Sequence, residues 1–303
     1  MWKNAAATMR RGPDEPKIYW LPNLMTAGNL CCGFFAVLTI FKGILEASAN
    51  TGKYEFLIAR ESYERATLLI FAACIFDLLD GRLARLGGKE SEFGREFDSL
   101  ADIISFGMAP AMLMAKAVLF PLDDMVRGLG WVLACIYVLC GALRLARFNC
   151  LAIAAEKKKV PVDPDFRGIP IPMAAGFIAS LTFLLINLYE NDRELGGWIY
   201  VLAGAMLGIS ILMISDVTYP SFKKIGWKSR GSIRAIALAV VGVVIVVRYY
   251  QIAPVVLFTF YLVYGLVRPL ISKGWRKYIE SAIEEDEEFP EDNGEEGEDK
   301  NFK

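Results

Sequence analysis

Long apolar segments alternate with short polar segments over most of this chain. The apolar runs lie at about residues 22–45, 65–86, 99–120, 129–150, 171–189, 198–215, 233–249 and 253–271. An α-helix needs roughly 20 apolar residues to cross a bilayer. The pattern therefore predicts an all-α, polytopic integral membrane protein with about eight transmembrane helices.

The two ends of the chain and its last helices differ from the middle. Residues 1–17 form a polar N-terminal arm, whereas residues 279–303 are acidic with almost no apolar content. Such a tail cannot bury a core, so we expect it to be disordered. The last two apolar runs are joined by a short connection around Gln251, which predicts an accessory transmembrane hairpin over residues 226–278.

Basic residues predict how the chain is oriented in a membrane. Most of the 33 lysines and arginines lie in the N-terminal arm, in every second segment between helices and after the last helix. Lysine and arginine accumulate on the cytoplasmic side of membrane proteins. We therefore expect a multi-pass protein of the cell (inner) membrane with both termini in the cytoplasm.

The composition restricts the chemistry that the chain can perform. There is no histidine, which excludes imidazole metal sites and histidine-based catalytic triads. A metal ion would have to be held by oxygen atoms, which favours Mg, Mn or Ca. The six cysteines lie in or beside apolar runs without a CxxC pair, so we predict neither a disulfide framework nor a zinc site.

One charged stretch, residues 77–102, interrupts the apolar pattern and reads DLLDGRLARLGGKESEFGREFDSLAD. Asp77 and Asp80 are three positions apart on one helix, and Asp98 and Asp102 are four apart on the next, so each pair shares a helix face. Charges inside apolar helices are costly in a membrane unless they bind something. We interpret the four acids as a divalent-metal site on the cytoplasmic side.

Two neighbours of these acids are suited to a phosphate substrate. Gly81 lets a ligand approach the backbone closely, and Arg85 offers a bidentate donor for phosphate oxygens. Cages of this kind commonly hold two cations about 4 Å apart beside a phosphate. The alternative interpretation is a network of salt bridges inside the membrane, in which Asp77 and Asp80 pair with Arg82 and Arg85.

The same stretch resembles the signature of a known family. It reads Asp77-x2-Asp80-Gly81-x2-Ala84-Arg85-x8-Gly94-x3-Asp98-x3-Asp102. All eight fixed positions are similar to those of the CDP-alcohol phosphatidyltransferase family. The resemblance implies a membrane enzyme that binds a CDP-linked lipid with two Mg or Mn ions. An alcohol attacks the lipid-side phosphorus in this family, and CMP leaves.

The resemblance also implies a role for individual residues. Asp77, Asp80 and Asp98 look like metal ligands, and Asp102 looks like both a ligand and the general base. The positions that contact the CDP-lipid in the family are matched by residues of helices one and two and the segment that follows, namely Asn23, Thr26, Gly81, Arg85 and Ser91. For Asn23 the alternative is a helix cap after Pro22.

Further segments resemble one branch of the family, the bacterial and archaeal serine-using type. They are LPNLMTAGNLCCGFFAV, GALRLARFN, FRGIPIPMAAG and SDVTYPSFKK. With the acidic signature they imply a six-helix catalytic core over residues 18–225. The implied partners are CDP-diacylglycerol, L-serine, membrane lipid and a second copy in a homodimer, with no nucleic acid.

Three charged residues in these segments could bind serine. Arg144 and Arg147 lie one turn apart at the inner end of the fourth helix, where either could meet the serine carboxylate. The alternative is that both only anchor the helix at the lipid headgroups. Asp216, beside Ser215 and Tyr219 at the base of the sixth helix, could meet the serine ammonium group.

Other classes of protein also place acids in apolar helices. A transporter or channel would need a polar path across the whole bilayer, whereas these acids crowd one side. A membrane prenyl-diphosphate enzyme pairs acidic motifs around magnesium, usually in loops and without the Gly-x2-Ala-Arg continuation. Within the family, the alternative acceptor is inositol or glycerol phosphate, and Arg144 and Arg147 could bind the phosphate group of such a substrate.

Overall fold

Helices account for most of the residues that the structure describes. The structure is a computed structural model, and it describes residues 20–49, 55–86, 92–120, 122, 126–158, 166–188, 197–219 and 248–268. The helices are α1 (Trp20–Ala49), α2 (Glu55–Leu86), α3 (Glu92–Asp102), a π-helical segment (Ile103–Met108), α4 (Ala109–Ala117), α5 (Leu129–Lys158), α6 (Ile171–Leu188), α7 (Trp198–Ile214) and α8 (Ala253–Val267).

Several helices are longer than the apolar runs that predict them. α2 begins at Glu55, well before the apolar run at residue 65, and α5 continues to Lys158. Hydropathy marks only the part of a helix that suits the lipid, whereas backbone hydrogen bonding continues into polar turns. The third predicted helix is continuous but changes its winding, because a π-helical segment joins α3 directly to α4.

Part of the predicted organisation lies outside the described residues. This applies to the polar arm at residues 1–17, the acidic tail at 279–303 and nearly all of the seventh predicted helix at 233–249. The hairpin predicted over 226–278 is therefore described only from residue 248 to 268.

The apolar helices are suited to a membrane. Four described helical stretches are long and apolar enough to cross one, namely Asn23–Ser48, Glu92–Ala117, Leu129–Ala155 and Ile171–Leu188. α7 and α8 are shorter apolar helices. α2 is long enough at 32 residues, but charged side chains, including the acids of the site, break its apolar sequence.

α4 lies at the centre of the helical body. It contacts α1, α2, α5 and α6, and most of its side chains are fully buried. Its sequence, APAMLMAKA, is rich in alanine, which lets four neighbours approach its backbone. The buried core therefore surrounds the helix that directly follows the π-helical segment and the acidic site.

A short antiparallel ladder adds to the predicted all-α fold. β1 (Phe166–Arg167) pairs with β2 (Thr218–Tyr219), so that Phe166 is opposite Tyr219. Gly168 follows β1 with φ +77°, a conformation that favours glycine, and its N–H donates to the carbonyl oxygen of Val217 at 2.8 Å. The ladder ties the start of α6 to the end of α7.

α8 packs against the rest of the body along its length. Near its start, Gln251 Nε2 donates to Asn187 Oδ1 at the end of α6, at 3.1 Å. Near its end, the rings of Tyr261 and Tyr219 lie 5.6 Å apart, and a Cβ added to Gly265 would overlap the Tyr219 ring. The end of α8 therefore packs directly on the β-ladder.

Candidate functional site

Three of the predicted metal ligands come together between α2 and α3. Asp77, Asp98 and Asp102 each offer one carboxylate oxygen, and these oxygens all lie within 4.8 Å of one another. Asp98 and Asp102 are one helical turn apart on α3, which explains why both face α2. Three carboxylates this close repel one another unless a cation lies between them. The oxygen-only donor set fits a hard divalent cation such as Mg or Mn.

The fourth predicted ligand, Asp80, lies next to this cluster with a partner of its own. It is buried one turn after Asp77 on α2 and accepts a hydrogen bond from Thr26 Oγ1 of α1. Asp80 remains close enough to Asp77 for their charges to interact. The structure thus groups three of the four acids and connects the fourth to a residue predicted to bind the CDP-lipid.

Asn29 is a site residue that the sequence analysis did not predict. Its side chain is fully buried in α1, and Nδ2 donates to Asp102 Oδ1 at 3.1 Å. The signal was its spacing, because Asn23, Thr26 and Asn29 recur every three positions and form one polar stripe on an apolar helix. Asn23 Nδ2 is also buried and makes no hydrogen bond within the described residues.

The π-helical segment begins immediately after Asp102. Such wider turns occur mostly inside α-helices and frequently at functional sites. Ser105 Oγ in this segment donates to the Asn29 carbonyl oxygen at 3.0 Å, and Tyr137 of α5 donates to the Phe106 carbonyl oxygen at 3.2 Å. Gly33 of α1 faces Ser105 so closely that a Cβ there would overlap it. α1 and α5 therefore hold the backbone that follows Asp102.

α3 is also attached to α5 on its other side. Asn149 Nδ2 donates to Ser99 Oγ at 3.0 Å and lies 3.5 Å from Glu96 Oε1. Ser99 Oγ in turn donates to the Arg95 carbonyl oxygen at 3.1 Å. These contacts fix the rotation of α3, and with it the direction in which Asp98 and Asp102 point.

The two arginines predicted to bind serine have different surroundings. Arg144 is buried, and its positive charge interacts with the negative charges of Asp102 and Asp77. Arg147 instead donates to the Ile214 carbonyl oxygen at 2.9 Å and forms a salt bridge with Asp216. The structure therefore places Arg144 at the acidic cluster and pairs Arg147 with the third predicted serine ligand.

The Arg147–Asp216 pair is on the surface, where the Asp216 side chain is 80% exposed. The hydrogen bond from Arg147 and the positive charge of its guanidinium lower the pKa of Asp216 below its ordinary value. Asp216 therefore stays ionised to a lower pH than an isolated aspartate and connects the end of α7 to α5.

The remaining predicted contacts to the CDP-lipid can be located only in part. A Cβ added to Gly81 would have no heavy atom within 4 Å, so open space adjoins the α2 backbone beside Asp80. This space leaves room for a ligand. The Arg85 side chain and Ser91 lie outside the described residues.

Comparisons with known proteins agree with this arrangement. The family model for CDP-alcohol phosphatidyltransferase matches residues 19–215. A Helicobacter pylori protein named CDP-diacylglycerol–serine O-phosphatidyltransferase is 34% identical over 261 residues, which cover 84% of this chain and 93% of that protein.

Two further relatives extend the comparison to other organisms. The Bacillus subtilis protein of the same name is 31% identical over 205 residues, covering 68% of this chain and 92% of that protein. Archaetidylserine synthase of Methanothermobacter thermautotrophicus is 34% identical over 208 residues, covering 68% of this chain and 72% of that protein. The family signature and these matches span the helices that carry the acidic cluster. The chain belongs to the CDP-alcohol phosphatidyltransferase family, whose members are polytopic membrane proteins.

Proposed function

We propose that this protein is a phosphatidylserine synthase, a CDP-diacylglycerol–serine O-phosphatidyltransferase. It transfers the phosphatidyl group from CDP-diacylglycerol to the hydroxyl of L-serine and releases CMP. The observation that carries this proposal is the similarity to serine transferases over most of the chain, with 93% of the Helicobacter pylori protein covered. The convergence of Asp77, Asp98 and Asp102 within a membrane body supports the same reaction.

The acidic cluster is the proposed metal centre. Asp77, Asp98 and Asp102 would hold divalent cations, with Asp80 beside them as the fourth carboxylate of a site for two Mg or Mn ions. When bound, the ions would neutralise the phosphate charge and stabilise the charge that develops during phosphoryl transfer. Thr26 holds Asp80 in place by its hydrogen bond.

Asp102 is the proposed general base. A serine hydroxyl is too weakly acidic to attack phosphorus unaided, so a base must take its proton as the new bond forms. The serine oxygen then bonds to the lipid-side phosphorus, and the bond from that phosphorus to the bridging oxygen of CMP breaks. The electron pair leaves with CMP, and the proton passes to the Asp102 carboxylate.

The CDP-lipid would bind along the polar stripe of α1 and the open side of α2. Asn23 and Thr26 lie on this stripe, and Gly81 leaves space on the neighbouring helix. Arg85 and Ser91 complete the proposed CDP contacts. Bound in this way, the diphosphate would lie next to the carboxylate cluster.

Arg144 is the favoured partner for the serine carboxylate. It is buried among the acids, so an anionic acceptor group would find a cation beside the reacting centre. Arg147 and Asp216 already bind each other and would have to exchange this salt bridge for substrate. We therefore place them at the edge of the serine site.

We also propose how the enzyme sits in the cell. The distribution of the basic residues supports a cytoplasmic location for the active site and both termini, where CDP-lipid and soluble serine would both arrive. The family resemblance further suggests a homodimer, which size-exclusion chromatography with light scattering of the detergent-solubilised protein would test.

A substrate panel tests the reaction. Purified full-length protein with Mg or Mn and CDP-diacylglycerol should release CMP and form phosphatidylserine only when L-serine is added. Chelation of the metal with EDTA should stop CMP release, and added Mg or Mn should restore it. Activity with inositol, inositol phosphate or glycerol 3-phosphate but not with serine would show that the acceptor is wrong. No CMP release with any acceptor would contradict the transferase itself.

A further inference from the structure

A single residue of α1 contacts both sides of the junction between α3 and the π-helical segment. The side chain of Asn29 donates to Asp102, the last residue of α3, at 3.1 Å. The backbone carbonyl of the same residue accepts a hydrogen bond from Ser105, inside the π-helical segment, at 3.0 Å. Gly33, one turn further along α1, allows the close approach that these two contacts require.

The Asn29 side chain is poorly explained by stability alone. Asn29 is fully buried, and its Oδ1 makes no hydrogen bond within the described residues. A buried amide with an unsatisfied oxygen costs stability, whereas an apolar residue of similar volume at this position would not carry that cost. What the amide adds over an apolar residue is a donor directed at one oxygen of Asp102.

We propose that Asn29 is a positioning residue for Asp102, holding Oδ1 by its Nδ2–H so that Oδ2 faces the acceptor hydroxyl. This inference rests on the proposed function, since it takes Asp102 as the general base. A carboxylate attached by one such donor loses its freedom to rotate about its side-chain bond. Asn29 therefore acts on the proton-transfer step through geometry, without touching the substrate.

Replacement of Asn29 by Leu removes the donor and keeps the number and branching of the side-chain heavy atoms. We expect the kcat of Asn29→Leu for CMP release to fall at least about 30-fold, because hydrogen bonds to charged groups are among the stronger ones. KM for CDP-diacylglycerol and for the acceptor should stay within about threefold of wild type. Mn²⁺ affinity, measured by electron paramagnetic resonance, should also stay within about threefold, because the carboxylates themselves remain.

Two further variants keep the test decisive. Asn29→Ala removes the donor without adding a charge or a new donor, so its kcat should fall as in the Leu variant, even where the Leu variant fails to fold. Thr39→Val is the matched control, because Thr39 is a polar residue of α1 whose hydroxyl donates within its own helix, to the Phe35 carbonyl oxygen at 2.7 Å. Its kcat should stay within about twofold of wild type.

The outcomes separate this inference from the proposed function. If the wild type releases CMP and either folded Asn29 variant keeps more than a third of the wild-type kcat, the positioning role is overturned. The proposed function is not affected by that result. A loss of kcat matched by an equal loss of Mn²⁺ affinity would also overturn the positioning role, since it would indicate collapse of the metal site. CMP release is measured with the acceptor that the wild type uses. The comparison between variants therefore stays valid even if that acceptor is not serine. A wild type that is inactive with every acceptor contradicts the proposed function.

Discussion

The carboxylates of Asp77, Asp98 and Asp102 lie close together, but their surroundings differ. Asp102 is the most buried of the three and accepts a hydrogen bond from Asn29, while Asp77 and Asp98 are half-buried. Asp80 has its own donor in Thr26. A buried carboxylate held by a neutral donor has a defined orientation for proton transfer, which supports the proposal of Asp102 as the base.

Removal of the proposed base should stop catalysis without preventing substrate binding. We expect Asp102→Asn to lower kcat at least about 100-fold, the usual range for a general base. Binding of CDP-diacylglycerol in the presence of Mn²⁺ should persist, and equilibrium binding of a labelled CDP-lipid would measure it. Glu61→Gln, at an exposed position far from the cluster on α2, is the control and should keep full activity. Activity above a few per cent in Asp102→Asn would exclude Asp102 as the base.

The surface pair of Arg147 and Asp216 should make stability depend on pH. The pKa of Asp216 is lowered in the folded protein, chiefly by the hydrogen bond from Arg147. The ionised Asp216 therefore stabilises the folded protein at pH values above the ordinary pKa of aspartate. This stabilisation is lost as the pH falls through the lower pKa of Asp216 in the folded state. The effect should be small, because the pair is exposed and screened by solvent.

Thermal unfolding in detergent would measure this contribution. Wild type should be slightly more stable than Asp216→Asn at pH 7, and the difference should shrink as the pH falls from about 5 to about 3. A difference that grows on acidification would contradict the assigned direction. Serine KM, measured on the same variant at pH 7, would test whether Asp216 also takes part in binding.

At the scale of elements, glycines mark the places where backbones meet. Gly33 allows α1 to reach the π-helical segment, and Gly168 allows the turn after β1 to reach the end of α7. A Cβ at Gly168 would overlap the Met213 carbonyl oxygen, which is backbone and cannot move aside as a side chain can. The positive φ at this position adds strain for any other residue.

Gly168→Ala should therefore separate the β1 turn from α7. We expect a loss of at least about 1–2 kcal/mol from the backbone conformation alone, with the overlap adding to it. Melting in detergent would measure this loss, and the serine KM should rise because the ladder lies beside Asp216. Gly204→Ala on α7 is the matched control, since nothing lies within 4 Å of its added Cβ, and alanine there should be neutral or stabilising. Equal melting temperatures for the two variants would contradict the packing of this turn.

At the scale of the whole molecule, α8 connects both ends of the helical body. Its start is bound through Gln251 to Asn187, the residue that also accepts a hydrogen bond from Arg60 near the start of α2. Its end packs on Tyr219, and the phenol group of Tyr261 lies near the Arg144 guanidinium. The last described helix therefore borders the site, although its sequence carries no acidic residue.

The proposed orientation predicts where reporters function. Green fluorescent protein fused after residue 303 should fluoresce, whereas alkaline phosphatase fused at the same place should be inactive, because it folds only outside the cytoplasm. Alkaline phosphatase inserted between α6 and α7 should be active, since the proposed orientation predicts that this connection is on the opposite side. The reverse pattern would place the acidic cluster outside the cytoplasm and contradict the proposed orientation.

Sequence by itself determined the helical membrane class, the family and the acidic residues that are proposed as metal ligands. Apolar run length and motif spacing are local properties, and a helix converts a spacing of three or four into a shared face. Only the tertiary structure decided which side chains these site residues contact. Thr26 meets Asp80 across 54 positions and Asn29 meets Asp102 across 73, and the β1–β2 pairing and the Arg147–Asp216 salt bridge also join distant segments. No local pattern encodes such contacts, because they depend on how the helices pack against one another.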